Sequence, residues 1–329
     1  MTEYQAIIPA AGIGTRLKPH THTIPKALIR VAGKPILGYI LDDVARAGIK
    51  DVTLVTGFFA EKVEDYARAA YSGLNLTFAR QTEQLGLGHA VWTALGKKRD
   101  LPSLVILGDT IVEADIAGIL DQPDNVIAVA PTDDPRRFGI VELSGDRIVR
   151  MVEKPADPPS NLAIVGLYLI RDSEALYRAL GGNIHAGLRT KGEFQLTDAL
   201  ARMLADGTVF RPWKIAGWFD CGKPETLLAT NRVLLERRAE PTPVYPDSVV
   251  IKPSHIGRGV VLSGSVIGPY ASIADGARIE SCIIRDSIIG SGARLSRVLL
   301  KGSLVGDNAL VRGRFDRLNL GDDSEVTFS

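Results

Sequence analysis

Two glycines, an arginine and a lysine fall within fifteen residues near the start of the chain. They are Gly12, Gly14, Arg16 and Lys26, in the stretch IIPAAGIGTRLKPHTHTIPKAL (7–28). Glycine lets the backbone bend and lets its amides face an anion with no Cβ in the way. A guanidinium with five donors and an ammonium point charge then make a set suited to a polyphosphate. Two familiar nucleotide loops do not fit. The dinucleotide fingerprint needs a third glycine where this chain has Leu17, and the other phosphate loop needs Ser or Thr after Gly33-Lys34, where it has Pro35. Taken alone, the two glycines also suit a plain tight turn.

Four further stretches carry chemistry. In LGDT (107–110), Asp109 ends an apolar run. A carboxylate at a strand end can hold a hard divalent cation that bridges phosphate oxygens, or serve as a turn or N-cap residue. Asp220 in GWFDCGKPE (217–225) has the same two readings, and two single carboxylates completed by substrate phosphates are a usual way to hold Mg²⁺. In RQTEQLGLGHAVWTAL (80–95), Gln81 precedes a glycine turn, and its amide together with nearby backbone groups can read the edge of a base. His89 has no acidic partner in sequence and is expected to be structural. VEKP (152–155) puts Glu153 and Lys154 side by side. Adjacent strand side chains point to opposite faces unless a turn or bulge re-aims them, and Pro155 makes such a break plausible; otherwise they are a solvated charge pair.

These residues need a scaffold that brings strand ends together. YQAIIPA (4–10), DVTLVTG (51–57), LNLTFAR (74–80), LVILGD (104–109) and NVIAVAP (125–131) predict strands, with helical patterns near 36–47, 61–70 and 88–95 between them. That alternation predicts an α/β fold, a mixed, mostly parallel sheet with helices on both faces, and such sheets present ligands at the carboxyl ends of their strands. GIVELSGDRIVRMVEKP (139–155) predicts a β-hairpin about Ser144-Gly145-Asp146. LAIVGLYLI (162–170) predicts a buried strand, and residues 192–204 and 223–237 predict helices.

The period changes after the proline-rich stretch AEPTPVYPD (239–247). Ile256, Leu262, Ile267, Ile273, Ile279, Ile284, Ile289, Leu295, Leu300, Val305 and Val311 recur every five or six residues, often followed by glycine. This spacing predicts stacked triangular coils of a parallel β-helix, with irregular coils where the step is not six. Two domains are therefore expected, 1–239 and 240–329.

Composition narrows the classes. The 39 basic and 38 acidic residues leave a net charge of +1, with no strong field for nucleic acid or an acidic membrane. Cys221 and Cys282 are in no metal-ligand spacing and fit a reducing cytoplasm rather than a disulfide framework. No apolar run approaches transmembrane length, and Met1 leads into a charged strand rather than a signal peptide, so a cytoplasmic protein is expected.

Taken together, the motifs resemble the sugar-1-phosphate nucleotidylyltransferases. AAGIGTRLKPHTHTIPKAL is similar to their opening segment, and AGKPILGYIL, QLGLGHAV, LGDT, VEKP, PSNLAIVGLY, GEFQLTDAL and FDCGKPETLLATN follow in the family's order. The resemblance spans about residues 4–236, and many members add a left-handed β-helix like the one expected here. It implies a Rossmann-like catalytic domain in which a hexose 1-phosphate attacks the α-phosphate of a nucleoside triphosphate and releases pyrophosphate. It also implies roles: Ala10, Ala11, Gly12, Gly14, Thr15 and Arg16 on the triphosphate, Lys26 near the reacting centre, and Asp109 and Asp220 on Mg²⁺. Lys154 would bind the sugar phosphate; Gly139, Glu153, Gly166, Tyr168 and Glu193 would meet the sugar; Gln81 and Gly86 would meet the base.

AAG in the opening turn, with QLGLGHAV and QLTD, resembles the UTP–glucose-1-phosphate uridylyltransferases, which makes UTP the first expectation. RFGIVE, PSNLAIVG and the β-helix resemble the long-form dTTP-dependent thymidylyltransferases, which makes dTTP the alternative. Some relatives carry an acetyltransferase in the β-helix with a catalytic His in a coil; here His255 lies at its very start and no His follows, which excludes it. Other relatives keep the fold as regulators or scaffolds, but tend to lose phosphate or metal residues that this chain keeps. The β-helix is expected to pack chains into a homo-oligomer, because its ladder edges invite association.

Overall fold

In the computed structural model, which describes residues 3–237, 243–313 and 318–327, the apolar runs of the first two-thirds form strands separated by helices. The elements are β1 (Gln5–Pro9), α1 (Ile36–Arg46), β2 (Asp51–Thr56), α2 (Ala60–Ala70), β3 (Asn75–Arg80), α3 (Leu87–Leu95), β4 (Ser103–Ile106) and β5 (Asn125–Pro131). They continue with β6 (Gly139–Ser144), β7 (Arg147–Glu153), β8 (Leu162–Ile170), α4 (Ser173–His185), α5 (Leu196–Ala205), β9 (Phe210–Lys214) and α6 (Pro224–Glu236). The chain divides into two compact units, one of Met1–Gly12 with Tyr39–Trp218, the other of Ile13–Gly38 with Phe219–Ser329. The boundary expected between 239 and 240 lies outside the described residues.

The first unit is built on a mixed sheet in the order β7-β6-β8-β4-β1-β2-β3, with β5 branching from β8 and β9 pairing with β5. β4, β1, β2 and β3 run parallel, and the hairpin β6–β7 and the long strand β8 pair antiparallel. Apolar faces of α3, α4 and α5 close over this sheet in one core, with Val91, Leu95, Leu176, Leu180, Leu200 and Met203 against Ile7, Val55, Val105 and Ile127. The helix α4 was not expected from sequence. Its Gly181-Gly182 pair weakens a helical pattern, and Gly181 packs closely on a neighbouring helix. A Cβ at Gly181 would lie 3.2 Å from Trp92 Nε1, and one at Gly182 2.6 Å from the Arg202 guanidinium. α5 begins at Leu196 rather than near 192, because Thr190 and Glu193 are joined by an antiparallel bridge just before it.

Among the described residues of the second unit, the aliphatic period becomes three parallel sheets of four, five and five strands, stacked as a left-handed parallel β-helix. Each expected ladder residue sits in register. Ile256, Ile273, Ile289, Val305 and Leu320 form one column, Leu262, Ile279, Leu295 and Val311 a second, and Val250, Ile267, Ile284 and Leu300 a third. Coils of 15 to 17 residues, as in Val261↔Arg278, Arg294↔Leu310 and Leu310↔Glu325, account for the irregular step. At one corner the glycines after the aliphatics are required. A Cβ at Gly290 would lie 2.5 Å from the Asp307 nitrogen, and one at Gly306 2.5 Å from that of Asp322.

Ile283 and Ile284 share a strand but face opposite ways, the first 48% exposed and the second fully buried. Ile284→Ala should therefore cost about 2–5 kcal/mol in denaturant unfolding, and Ile283→Ala less than about 0.5 kcal/mol. Equal costs would contradict the register.

Candidate functional site

In the first unit the ends of three parallel strands approach backbone to backbone. A Cβ at Gly57, after β2, would lie 2.9 Å from the Ala11 carbonyl oxygen, and one at Gly108, after β4, would lie 2.6 Å from that of Pro9. The Ala10-Ala11-Gly12 turn is thus a ledge at the sheet's carboxyl edge, with Ala10 and Ala11 buried and Gly12 exposed. Gln84 Nε2 donates to the Ala11 carbonyl at 2.9 Å and fixes the turn from the other side. Asp109 follows on the same edge, half-buried, accepting from its neighbour Thr110 Oγ1 at 3.2 Å. Beneath it Gly166, at φ 90°, lets its carbonyl accept the Leu107 N–H at 2.9 Å, and a Cβ there would collide with the Leu107 side chain.

The loop before α3 docks on the segment before α5. Phe194 N donates to the Leu85 carbonyl, and Gly88 N donates to the Phe194 carbonyl, each at 2.8 Å. A Cβ at Gly86 would lie 2.7 Å from the Glu193 Cβ, so these two expected ligand residues are neighbours. Gln81 is buried, and its amide nitrogen donates to the Gly86 carbonyl at 3.1 Å and to His89 Nδ1 at 3.0 Å. His89, with its ring held below its ordinary value by burial, is a structural partner of Gln81.

Glu153 and Lys154 lie together. Lys154 has φ 41°, a left-handed conformation, so the strand alternation breaks at that residue. Its Nζ lies 3.2 Å from Glu153 Oε1, and Thr197 Oγ1 donates to Glu153 Oε2 at 2.6 Å. Gly139 closes the group, since a Cβ there would lie 2.8 Å from Thr197 Oγ1 and 3.0 Å from Glu153 Oε2. Tyr168 lies in the core beside them; burial, with the Glu153 charge adding, pushes its phenol well above the usual range. Thr197 and Gln84 were not expected from sequence, since each acts on a residue more than 40 positions away.

The second unit holds the remaining expected residues. Gly14, at φ 69°, opens a short 3₁₀ turn over Thr15–Leu17, and its Cβ would lie 2.9 Å from that of Lys26. Thr21 Oγ1 donates to the Gly14 carbonyl at 2.9 Å, which draws the two ends of the segment together, and Lys26 is buried behind it. Arg16 and Asp220 converge over Gly222. A Cβ at Gly222 would lie 2.7 Å from Asp220 Oδ1 and 2.9 Å from an Arg16 guanidinium nitrogen. Among the described residues no group of three or more His, Cys, Asp or Glu could hold a metal ion unaided. A cation here would need substrate oxygens and water beside single carboxylates, the coordination that suits Mg²⁺.

Residues 5–237 match the family described as Nucleotidyl transferase. The chain belongs to that family. This nucleotidyl transferase is similar over 319 residues, at 34% identity, to a glucose-1-phosphate thymidylyltransferase of Streptomyces antibioticus, covering 87% of this chain and 86% of the relative. It is 36% identical over 237 residues to UTP–glucose-1-phosphate uridylyltransferase 2 of Staphylococcus saprophyticus, covering 60% of this chain and 80% of that one. A solved UDP-glucose pyrophosphorylase complexed with UDP-glucose superposes on 72% of this chain and 100% of its own, with TM-score 0.61 and 26% identity. No helix among the described residues is long and apolar enough to cross a membrane.

The second unit also carries a titrating contact. Burial holds the His20 ring below its ordinary 6.5, against the hydrogen bond to Asn319 and the charge of Asp307, which raise it. Its neutral form therefore stabilises the fold above that pH, and the contribution is lost as pH falls through the lower folded value. The Tm difference between wild type and His20→Gln should narrow from about pH 7 to about pH 5. A constant difference would contradict the assignment.

Proposed function

We propose that this chain transfers a nucleotidyl group from a nucleoside triphosphate to a hexose 1-phosphate, with UTP and glucose 1-phosphate as the first substrates and UDP-glucose and pyrophosphate as products. The observation that carries the reading is the pair Glu153–Lys154: a left-handed backbone sets an ammonium beside a carboxylate already oriented by Thr197. A cation for the phosphate and an acceptor for sugar hydroxyls, side by side, are what a hexose 1-phosphate requires.

The other roles follow from chemistry. Gly12, Gly14 and Thr15 offer backbone amides to the triphosphate after Ala10 and Ala11; Arg16 takes the charge that grows on the leaving pyrophosphate; Lys26 holds phosphate near the reacting centre. Asp109 and Asp220 would hold Mg²⁺, which supplies charge neutralisation at the α-phosphate. The sugar phosphate is already anionic, so its oxygen attacks phosphorus without a protein base, and catalysis is positioning and charge stabilisation. Both donor hydrogens of the Gln81 amide are used within the unit, which leaves its carbonyl oxygen for a base N–H, as uracil and thymine both present. Gly86 lines the base, and Gly139, Gly166, Tyr168 and Glu193 the sugar.

In this reading residues 1–239 are the catalytic domain and 240–329 a β-helix through which chains form a homo-oligomer, in the cytoplasm. The outward row Val249, Ile283 and Leu299, exposed and in register on one sheet with Val266, supports self-association. A second substrate reading, dTTP in place of UTP, is favoured by the match to a thymidylyltransferase, which covers 87% of this chain and so reaches into the β-helix. Uracil and thymine differ by one methyl, which a pocket discriminates weakly.

Pyrophosphate release from glucose 1-phosphate with UTP, dTTP, GTP, CTP and ATP, at millimolar Mg²⁺, should be fastest with UTP or dTTP. Asp109→Asn should lower turnover by about 10²-fold or more at an unchanged Tm. Release with no triphosphate would overturn the function, and near-normal turnover in the variant would overturn the metal assignment.

A further inference from the structure

The segment between Arg16 and Lys26 is neither strand nor α-helix. It runs through short 3₁₀ turns, Thr15–Leu17, His20–His22 and Lys26–Leu28, each held by one or two local backbone bonds. Turns of that length do not hold a geometry by themselves. The Thr21–Gly14 bond draws the segment together but does not fix where it lies.

Leu17, Thr21 and Ala27 are buried, and the last coil of the β-helix adds an anchor from outside the segment. Asp322 accepts from Thr23 Oγ1 through Oδ2, and from the Asp307 backbone N–H through Oδ1, the latter at 2.7 Å. Beside it the His20 ring is hydrogen-bonded to Asn319 Oδ1, and a Cβ at Gly321 would lie 3.1 Å from the Pro19 Cβ. The Oδ1 contact is part of the β-helix repeat: Asp275 accepts from Arg258 N and Asp307 from Ser291 N at the same corner. That repeat fixes the orientation of the Asp322 carboxylate before Thr23 reaches it. An ordinary corner aspartate is put to a second use.

We infer that Asp322 is a positioning residue: through Thr23 the last coil clasps the 13–28 segment and holds Arg16 and Lys26 in place. This rests on the function proposed above for those two cations. Transfer at phosphorus depends on cations held to within a fraction of an ångström, so a loosened segment costs turnover rather than sugar-phosphate affinity.

The test compares full-length Thr23→Val, which keeps shape and loses the donor, with Thr23→Ser, which keeps the donor. Amide hydrogen exchange over residues 13–28, measured without substrate, should accelerate about tenfold in Thr23→Val and return to wild type in Thr23→Ser. In the same variants kcat for pyrophosphate release should fall about 10–100-fold and recover, with the KM for glucose 1-phosphate within about twofold of wild type. Asp322→Ala should repeat the Thr23→Val exchange pattern. Unchanged exchange in Thr23→Val overturns the clasp, and faster exchange with unchanged kcat overturns the positioning role. A wild-type protein that releases no pyrophosphate would instead remove the functional reading, while the exchange data still decide the clasp.

Discussion

Backbone packed on backbone, with no room for a side chain between, is the constraint on which the candidate site depends. Gly57 and Gly108 let the ends of β2 and β4 close on Ala11 and Pro9, and that contact makes the opening turn a ledge rather than a mobile loop. Gly86 and Gly88 do the same where the start of α3 lies on Glu193, Phe194 and Gln195, while Gly139 makes room for the side chains of Thr197 and Glu153. Each is a place where any Cβ would force a shift of several tenths of an ångström or more. The glycines act by exclusion, setting how near the neighbouring strands and loops can come, and the charged side chains follow from that spacing.

The Glu153–Lys154 pair shows how local backbone geometry becomes chemistry. In a regular strand the two side chains would lie on opposite faces and could not meet one ligand. The left-handed turn at Lys154 places ammonium and carboxylate 3.2 Å apart, and Thr197 and Gly139 hold the carboxylate from behind. Lys154 remains more than a third exposed while Glu153 is largely buried, which leaves the cation able to meet an anion and the acid held as an acceptor. A positive φ at a non-glycine residue carries strain, and such residues gather at functional sites.

Much of this was legible in the sequence, for physical reasons. The aliphatic step of the β-helix survives in every column because each coil must bury the same side chain, from Ile256 through Ile273 and Ile289 to Val305. Strands such as Asn125–Pro131 and Leu162–Ile170 were bounded to the residue, since buried strands read as continuous apolar runs. What escaped was of two kinds. Helix α4 hides behind Gly181-Gly182, and at Gly181 the reason is tertiary packing on Trp92. Partners distant in sequence, such as Gln84 on Ala11, Thr197 on Glu153 and Thr23 on Asp322, leave no period to follow. For the same reason, periodicity gave no sign that residues 13–38 group with the β-helix rather than with the strands around them.

In the proposed reaction Lys154 would grip the phosphate of the sugar substrate, as distinct from the triphosphate. Steady-state kinetics of Lys154→Gln with glucose 1-phosphate and the preferred triphosphate tests it most directly. The KM for glucose 1-phosphate should rise about tenfold or more, the loss expected for a charge-assisted contact, with the KM for the triphosphate within about twofold of wild type. An unchanged KM for the sugar phosphate, or a loss confined to the triphosphate, would contradict the account.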